Sequence, residues 1–561
     1  MGDKHEFPAL SLEGKAVALH EKDHALSFSE SLSEDYTDFQ EQENSPIEAV
    51  RLAVPITDDP SLPVVTFRFW LISFFFTALG ATVQQYYFFR SSSGTYSIFF
   101  VNLVSFTLGK AMARTLSERK FTVLGQTLSL NPGPFNIKEH ALIGIAVSTG
   151  AGSAYAIDIL SATDLFLGYR INALGSILLI ITTQCCGYGM AGLLRRYLVY
   201  PAEMVWWSNL VQVVFYNTMH NTQDFQSIRL VRGWSRMKFF WVVTVIVFLY
   251  QFIPQWLAPI LVYFDWLCWI RPFDMNFWAF FSSISGGGIL SLSFDWTSIG
   301  GATMYLPLSA QLCSFAGVIV NYWIILPIMW MNNYMGVKTI GKPLTTKLFY
   351  EETGKPFNIK PFLNEDYSRE ALDGTKPDAN GLWTGQRVQT FWGSGLIYGA
   401  LGPARMFAFD GKYWFVYYGF LIGFLGPIVL WALSKKFPQY QWSKLNVAIF
   451  AGGLHNFPNG YAMGILVSLI TALVFQWFLF RYHKGWWTKY TFILSAALDT
   501  GAAFTGLIIF LFLGGGLSPK LSVNVPSWWG NYYTPEGDNG PYLAVDRCGA
   551  ANNAWTSGAE L

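Results

Sequence analysis

The sequence predicts an all-α integral membrane protein, a polytopic helical bundle with re-entrant or broken helices. Three observations carry that expectation. The 561 residues are 52% hydrophobic, 18% aromatic and only 13% charged, against about 25% charged in ordinary soluble domains. Apolar runs long enough to cross a bilayer, which takes about 20 residues, recur from residue 66 onward. Basic residues gather between those runs in alternate connections, as the positive-inside bias asks.

In chain order, residues 1–62 are acidic, poor in large apolar side chains and without an apolar signal-peptide core, so a disordered cytosolic tail is expected. An N-terminal membrane region, 63–336, a polar loop, 337–390, a C-terminal membrane region, 391–516, and a polar tail, 517–561, complete the chain. Spans are expected near 66–89, 95–113, 141–160, 171–194, 239–263, 300–331, 414–434, 460–480 and 490–514. Shorter apolar pieces near 203–219, 266–292, 391–403 and 445–456 are interrupted by Gly, Pro or charge and read as half-helices, re-entrant turns or short crossings.

Charge sets the orientation. With a cytosolic N-terminus, Arg114, Arg119 and Lys120, then Arg195 and Arg196, then Arg229, Arg232, Arg236 and Lys238 all fall in the cytosol if 203–219 is a re-entrant hairpin. Lys435, Lys436 and Lys444 share that side with Arg481, Lys484 and Lys489 if the stretch between them crosses twice, bending near His455–Gly460. The tail from about Ser518 then lies outside or in a lumen. The pairs Trp206-Trp207, Trp486-Trp487 and Trp528-Trp529 suit interfacial belts. The five cysteines form no metal or disulfide pattern. No phosphate loop, dinucleotide fingerprint or hydrolase motif occurs, so no enzyme, cofactor or nucleotide-driven pump is expected, and an ion gradient or a partner must supply the energy.

Two places stand out chemically. The decapeptide NPGPFNIKEH, Asn131 to His140, puts a Pro-Gly-Pro break and a charge cluster directly before an apolar run. Such a break reads either as part of a permeation path, since irregular backbone in the membrane needs protein or water to satisfy it, or as a cytosolic turn with an Asn cap. On the first reading Asn131, Pro132, Gly133 and Lys138 offer a peptide carboxylate a positive helix end, and Glu139 or His140 carries protons. The second place is Asp499, near the middle of the last span, where an ionised carboxylate costs about 2.5–3.5 kcal/mol and function is the usual reason to keep one. Asp158 near the end of the third span is a further proton-coupling candidate, and His455 an alternative carrier. Asp295, after the Gly286–Gly288 run, belongs either to an unwound stretch lining a cavity, where it binds substrate, or to a plain loop. Asn102, Asn209 and Gln84-Gln85 are buried amides whose simpler use is interhelical bonding.

NPGPFNIKEH, together with YAIDIL (155–160), CCGYGMAGLLRRYLVYPAEMVWWSNL (185–210), LSFDWTSIGG (292–301), GPARMF (402–407) and WWTKYTFILSAALDTG (486–501), resembles the oligopeptide transporter family. The likeness is to its peptide-transporter branch of fungi and plants and runs from about Ser45 to Trp529. It implies a plasma-membrane or endomembrane carrier that imports glutathione or tetra- and pentapeptides with protons, with no nucleic-acid partner, and it adds Arg405 of GPARMF to the substrate-binding candidates. The likeness fails at one point. After TGKPFNIKPFLNEDYS (353–368) family members continue through further helices with a Lys-Ile-Pro-Pro-Arg motif, whereas this chain passes through REALDGTKPDANGLWTGQRVQTF (369–391) to the next segment. A transport-inactive shortened member and a carrier of metal chelates are the alternative readings.

Overall fold

The computed structural model describes residues 45–55, 58–86, 96–123, 126–152, 154–202, 204–220, 233–284, 286–340, 386–395, 398–399, 407–409, 411, 414–440, 442–455, 464–514, 523, 525–526, 528–531, 542–543 and 547–550. Most of the acidic tail, most of the polar loop, the bend after His455 and Arg405 lie outside them. Two compact units result, Met1–Asp59 with Leu193–Trp206, and Pro60–Gly192 with Trp207–Leu561. The smaller holds α1 (Glu48–Ala53) and the last turns of α6 (Ala173–Leu198), where the Trp206 indole donates to the Leu198 carbonyl. All remaining elements belong to the larger unit.

The chain is a multi-pass helical membrane protein. Among the described residues seven helices are long and apolar enough to cross a bilayer: Phe67–Tyr86, Ala173–Leu198, Arg236–Leu257, Leu308–Met331, Trp414–Lys436, Ile465–Tyr482 and Lys484–Leu513. A short hairpin, β1 (Lys120–Val123) with β2 (Gln126–Ser129), leads into the Pro-Gly-Pro turn.

At the N-terminal end, α2 (Phe67–Tyr86), α3 (Ile98–Thr115) and α4 (Ile137–Gly150) pack around Phe69, Ile72, Phe76, Val101, Phe135, Ile143 and Val147. The expected span 141–160 is not continuous. Helix α4 stops at Gly150, and α5 (Ala156–Leu167) starts afresh. Gly150 sits so close to α2 that a Cβ there would lie 2.6 Å from Thr77 Cγ2, and Gly152 just after it disfavours another helical turn.

The central pair is α8 (Arg236–Phe252) and α20 (Lys484–Ile508). They run in the same direction, because contacts advance together along both. The Arg236 guanidinium donates to the Thr488 and Lys489 carbonyls, Thr244 Oγ1 to the Ala497 carbonyl and Thr505 Oγ1 to the Phe248 carbonyl. Gly501 allows this approach, since a Cβ there would stand 2.8 Å from the Thr244 carbonyl oxygen. Pro254 follows α8 in a wide π turn, Ile253–Leu257, as expected where proline removes a donor and crowds the preceding turn. Helix α7 (Trp207–His220) packs against α20 and α4.

The expected span 300–331 is likewise divided. After α9 (Met275–Phe281) come α10 (Trp296–Ile299), α11 (Ala302–Tyr305), a break at Pro307 and then α12 (Leu308–Val318), a π stretch and α13 (Leu326–Met331). After α14 (Val337–Ile340) and α15 (Gln386–Gly395), α16 (Tyr417–Lys436) carries Pro427 in its interior. Helix α17 (Val447–His455) meets α12 through glycines, with Gly317 against the Phe450 carbonyl and Gly453 against Ser314. The last crossing before α20 is α18 (Ile465–Ala472), a π stretch and α19 (Phe480–Tyr482). Helices α6 and α16 bury none of their side chains within the chain.

Two further expectations are corrected. Cys268 and Cys548 form a disulfide, with Cα atoms 5.2 Å apart and 280 residues between them in sequence. One cysteine lies in a short 3-10 helix, Trp266–Ile270, and the other in the polar tail, so no local spacing announced the bond. The tail reinforces it. The Trp528 indole donates to the Leu257 carbonyl, Ile260 N–H donates to the Gly530 carbonyl, and Trp269 and Trp529 meet edge to face at 5.3 Å. Trp487, expected at an interface, is buried between Phe480 and Phe492 because α20 turns that face inward.

Candidate functional site

The Pro-Gly-Pro turn is built around a cation from another helix. Arg68, fully buried in α2, donates through Nη2 to both Glu139 carboxylate oxygens, at 3.0 and 2.9 Å. Its Nη1 donates to Asn131 Oδ1 at 3.1 Å and to the Gly133 carbonyl at 2.7 Å. Asn131 in turn donates through Nδ2 to the Ala113 and Leu116 carbonyls at the end of α3, at 2.9 and 3.0 Å. Asn136 caps α4. Its Oδ1 accepts from Glu139 N–H at 3.0 Å while Glu139 Oε2 accepts from Asn136 N–H at 3.3 Å, a reciprocal capping box. Gly133 holds φ at +132°, a conformation side chains resist.

Taking two charges out of water costs several kcal/mol per ion unless the geometry is good and the remaining donors and acceptors are occupied. Here Arg68 and Glu139 meet that condition at both guanidinium amino groups and both carboxylate oxygens, leaving only Arg68 Nε buried without a partner. Of the residues expected to bind or couple, Asn131, Gly133 and Glu139 are therefore joined in one network, with Pro132 exposed and Lys138 half-buried beside them. Fully buried His140 points away, to Asn102 and His220.

The second constellation lies where three helices end in mid-chain. Asp295 is buried and caps α10, accepting from Thr297 N–H at 3.0 Å, from Thr297 Oγ1 at 2.6 Å and from Gln251 Nε2. Helix α10 stops at Gly300, whose φ is +74°, and α18 begins after Gly464, whose φ is +78°. A Cβ on Gly464 would stand 2.8 Å from the Ser298 carbonyl, and one on Gly301 would stand 3.0 Å from Asp499 Oδ2 and overlap the Ser495 hydroxyl. Only glycines let these ends converge on α20. Carbonyls released by the breaks are taken up by side chains. Gln311 Nε2 donates to those of Thr303 and Leu306, both at 2.9 Å, and Gln476 Nε2 donates to that of Met304 at 2.7 Å. This is how irregular backbone is accommodated at membrane depth.

Asp499 faces this convergence. Its Oδ1 accepts from the Trp296 indole at 2.7 Å, and among the described residues it belongs to no ion pair. Beside it the Ser495 hydroxyl is buried without a hydrogen-bond partner, as are the Thr491 hydroxyl two turns earlier on α20 and the side-chain oxygen of Gln251, whose amide nitrogen donates to Asp295. Unpaired buried polar atoms are rare in native proteins and mark where a ligand or water is wanted. Asp158 is buried in the first turn of α5, and Asp499 makes no hydrogen bond to the Pro-Gly-Pro turn. Sequence reasoning passed over Arg68, because a cation two residues into an apolar run reads as an ordinary membrane-edge charge. It also passed over Gln251, Trp296, Ser495 and His220, which nothing in the local sequence ties to their partners.

A family model described as OPT oligopeptide transporter protein matches residues 64–370 and 362–513. Curated relatives include Oligopeptide transporter 5 of Arabidopsis thaliana, 26% identical over 88% of this chain and 94% of the relative. Oligopeptide transporter 1 of the same plant is 27% identical over 88% and 93%, and the sexual differentiation process protein isp4 of Schizosaccharomyces pombe is 25% identical over 91% and 89%. The first of these alignments has 716 columns, of which 88% of the 561 residues, about 494, fill their share, so some 220 columns face gaps in this chain. No solved structure matches the chain.

Proposed function

The chain belongs to the OPT oligopeptide transporter family, and we propose that it is a proton-coupled secondary transporter importing small oligopeptides or glutathione-like peptides, with Asp499 as the coupling carboxylate. The observation that carries this reading is the position of Asp499: a single carboxylate inside a crossing, held by one indole donor, facing two helix breaks and the unpartnered Ser495 hydroxyl. A proton taken up on Asp499 Oδ2 removes a charge that is costly at mid-bilayer, while Oδ1 keeps its bond to Trp296. Neutralised, the carboxyl no longer holds α10 by charge, and the glycine hinges at 300 and 464 let the broken ends shift. The ammonium of a peptide pairs with Asp499 or Asp295, and its backbone meets Thr491, Ser495 and Gln251. The turn beside Lys138 offers a positive helix end to the carboxylate.

In proteoliposomes with an acid exterior, labelled tetrapeptide or glutathione uptake should exceed that without a gradient, and Asp499→Asn should remove the difference. The disulfide supports the orientation. Such bonds persist in oxidising compartments, which agrees with a tail outside or in a lumen and a cytosolic N-terminus. Protease protection of tags at the two termini should find them on opposite sides, and finding both on one side overturns this topology. A second reading, a shortened member that does not transport, is favoured by the gap of about 220 columns against Oligopeptide transporter 5 and by α6 and α16 burying no side chains. Uptake by the purified chain decides between the two.

A further inference from the structure

Two histidines from different helices meet beside the Pro-Gly-Pro turn. His140 Nδ1 and His220 Nε2 are 3.0 Å apart, and His140 Nε2 is 2.8 Å from the Asn102 carbonyl oxygen. A carbonyl can only accept, so His140 Nε2 carries a hydrogen. In a neutral imidazole Nδ1 is then the acceptor, and the hydrogen between the rings belongs to His220 Nε2. An added proton therefore has one place to go. It enters at His220 Nδ1, where both hydrogen bonds stay intact; the hydrogen between the rings then sits on His220 Nε2 or on His140 Nδ1, and the first of these puts the charge on His220.

Helix position points the same way. His220 is the last residue of α7, where the helix dipole favours a cation, while His140 sits in the first turn of α4, where the dipole opposes one. Phe106 and Phe135 flank both rings, with centroids 5.0–5.7 Å away, so their faces can stabilise an imidazolium. Tyr216 packs on His140 at 4.8 Å, and Gly144 leaves room for it, since a Cβ there would meet the Tyr216 hydroxyl and Asn102 Oδ1. Among the described residues the charged neighbours are few. Lys110 of α3 lies 4.1 Å from the Phe106 ring centre and opposes charge on His220, and Arg68 beyond Phe135 is neutralised by Glu139. The helices packed on α7 contribute Arg236 at the start of α8, Lys489 and Tyr490 in the second turn of α20 and Tyr305 on α11, with Arg236 tied to the Thr488 and Lys489 carbonyls and Tyr490 to the Trp234 carbonyl. The pair thus holds one extra proton or none.

We propose that His220 is a proton-carrying residue of the transport cycle and that His140 is its positioning residue. This rests on the proton-coupled reading above. His220→Gln keeps an amide that can donate to His140 Nδ1 but cannot titrate. Burial and then Lys110 lower the His220 pKa to about 4, so at equal membrane level the ratio of peptide uptake at about pH 4 to that at about pH 7.5, above the ordinary histidine pKa of about 6.5, should exceed 1 for the unmodified chain and fall to about 1 for His220→Gln. An unmodified chain with no acid stimulation rejects proton coupling itself; acid stimulation that survives in His220→Gln rejects only the present inference. Nitrogen-15 NMR of labelled histidines in the unmodified protein needs no folded variant. On acidification His220 should gain a second N–H while His140 stays neutral with its proton on Nε2, and a doubly protonated His140 overturns the assignment.

Discussion

Glu139 and Asp499 are two carboxylates in the same membrane protein with opposite surroundings. Glu139 has both oxygens on Arg68, a cap to serve and no contact with solvent. Asp499 has one indole donor, no ion-pair partner among the described residues, and broken helices and the unpartnered Ser495 hydroxyl beside it. A charge whose bonds are all taken holds architecture in place, because changing its state costs the whole network. A charge held by one donor can change state cheaply. The familiar motif in the sequence thus belongs to the fixed node, and the adaptable node is assembled from residues scattered between 251 and 499.

Breaking the fixed node should have the largest effect on stability. Arg68→Ala leaves Glu139 buried and uncompensated, which costs about 3–5 kcal/mol, so thermal unfolding of the detergent-solubilised protein should fall steeply. The pair Arg68→Met with Glu139→Leu should recover most of that loss; no recovery would mean that the network, rather than the unpaired charge, sets the cost. A smaller effect is expected at the turn itself. A Cβ on Gly133 meets nothing within 4 Å, so Gly133→Val acts only through its φ of +132°, at about 1–3 kcal/mol. The protein should remain in the membrane while uptake is lost, because the shifted Gly133 carbonyl no longer receives Arg68. Normal uptake by a correctly inserted variant would make the turn an ordinary loop.

Much of the fold was legible in the sequence, since a lipid-facing or core helix needs an unbroken apolar run and such runs are visible without partners. The breaks were less so. Gly150 and Pro307 interrupt runs that remain apolar across them, and only the close approach of Thr77 or the geometry of α10 and α11 shows why the chain turns there. Asp499 was legible because a carboxylate inside a span stands out by itself. Its partner Trp296, 203 residues earlier, did not, nor did Cys548 as the partner of Cys268, because pairing across such distances is decided by packing. Arg68 looked like a membrane-edge charge until Glu139 was found on it.

The contrast between the two carboxylates is tested most directly by measuring thermal stability and acid-driven peptide uptake side by side for Glu139→Gln and Asp499→Asn. Both variants keep size and remove a charge. A clear loss of stability is expected for Glu139→Gln, and for Asp499→Asn an unfolding temperature close to that of the unmodified chain with no acid-driven uptake. An Asp499→Asn protein that transports with an unchanged pH profile would contradict the contrast, and the coupling site would then have to be sought at Asp158, Asp295 or Glu139.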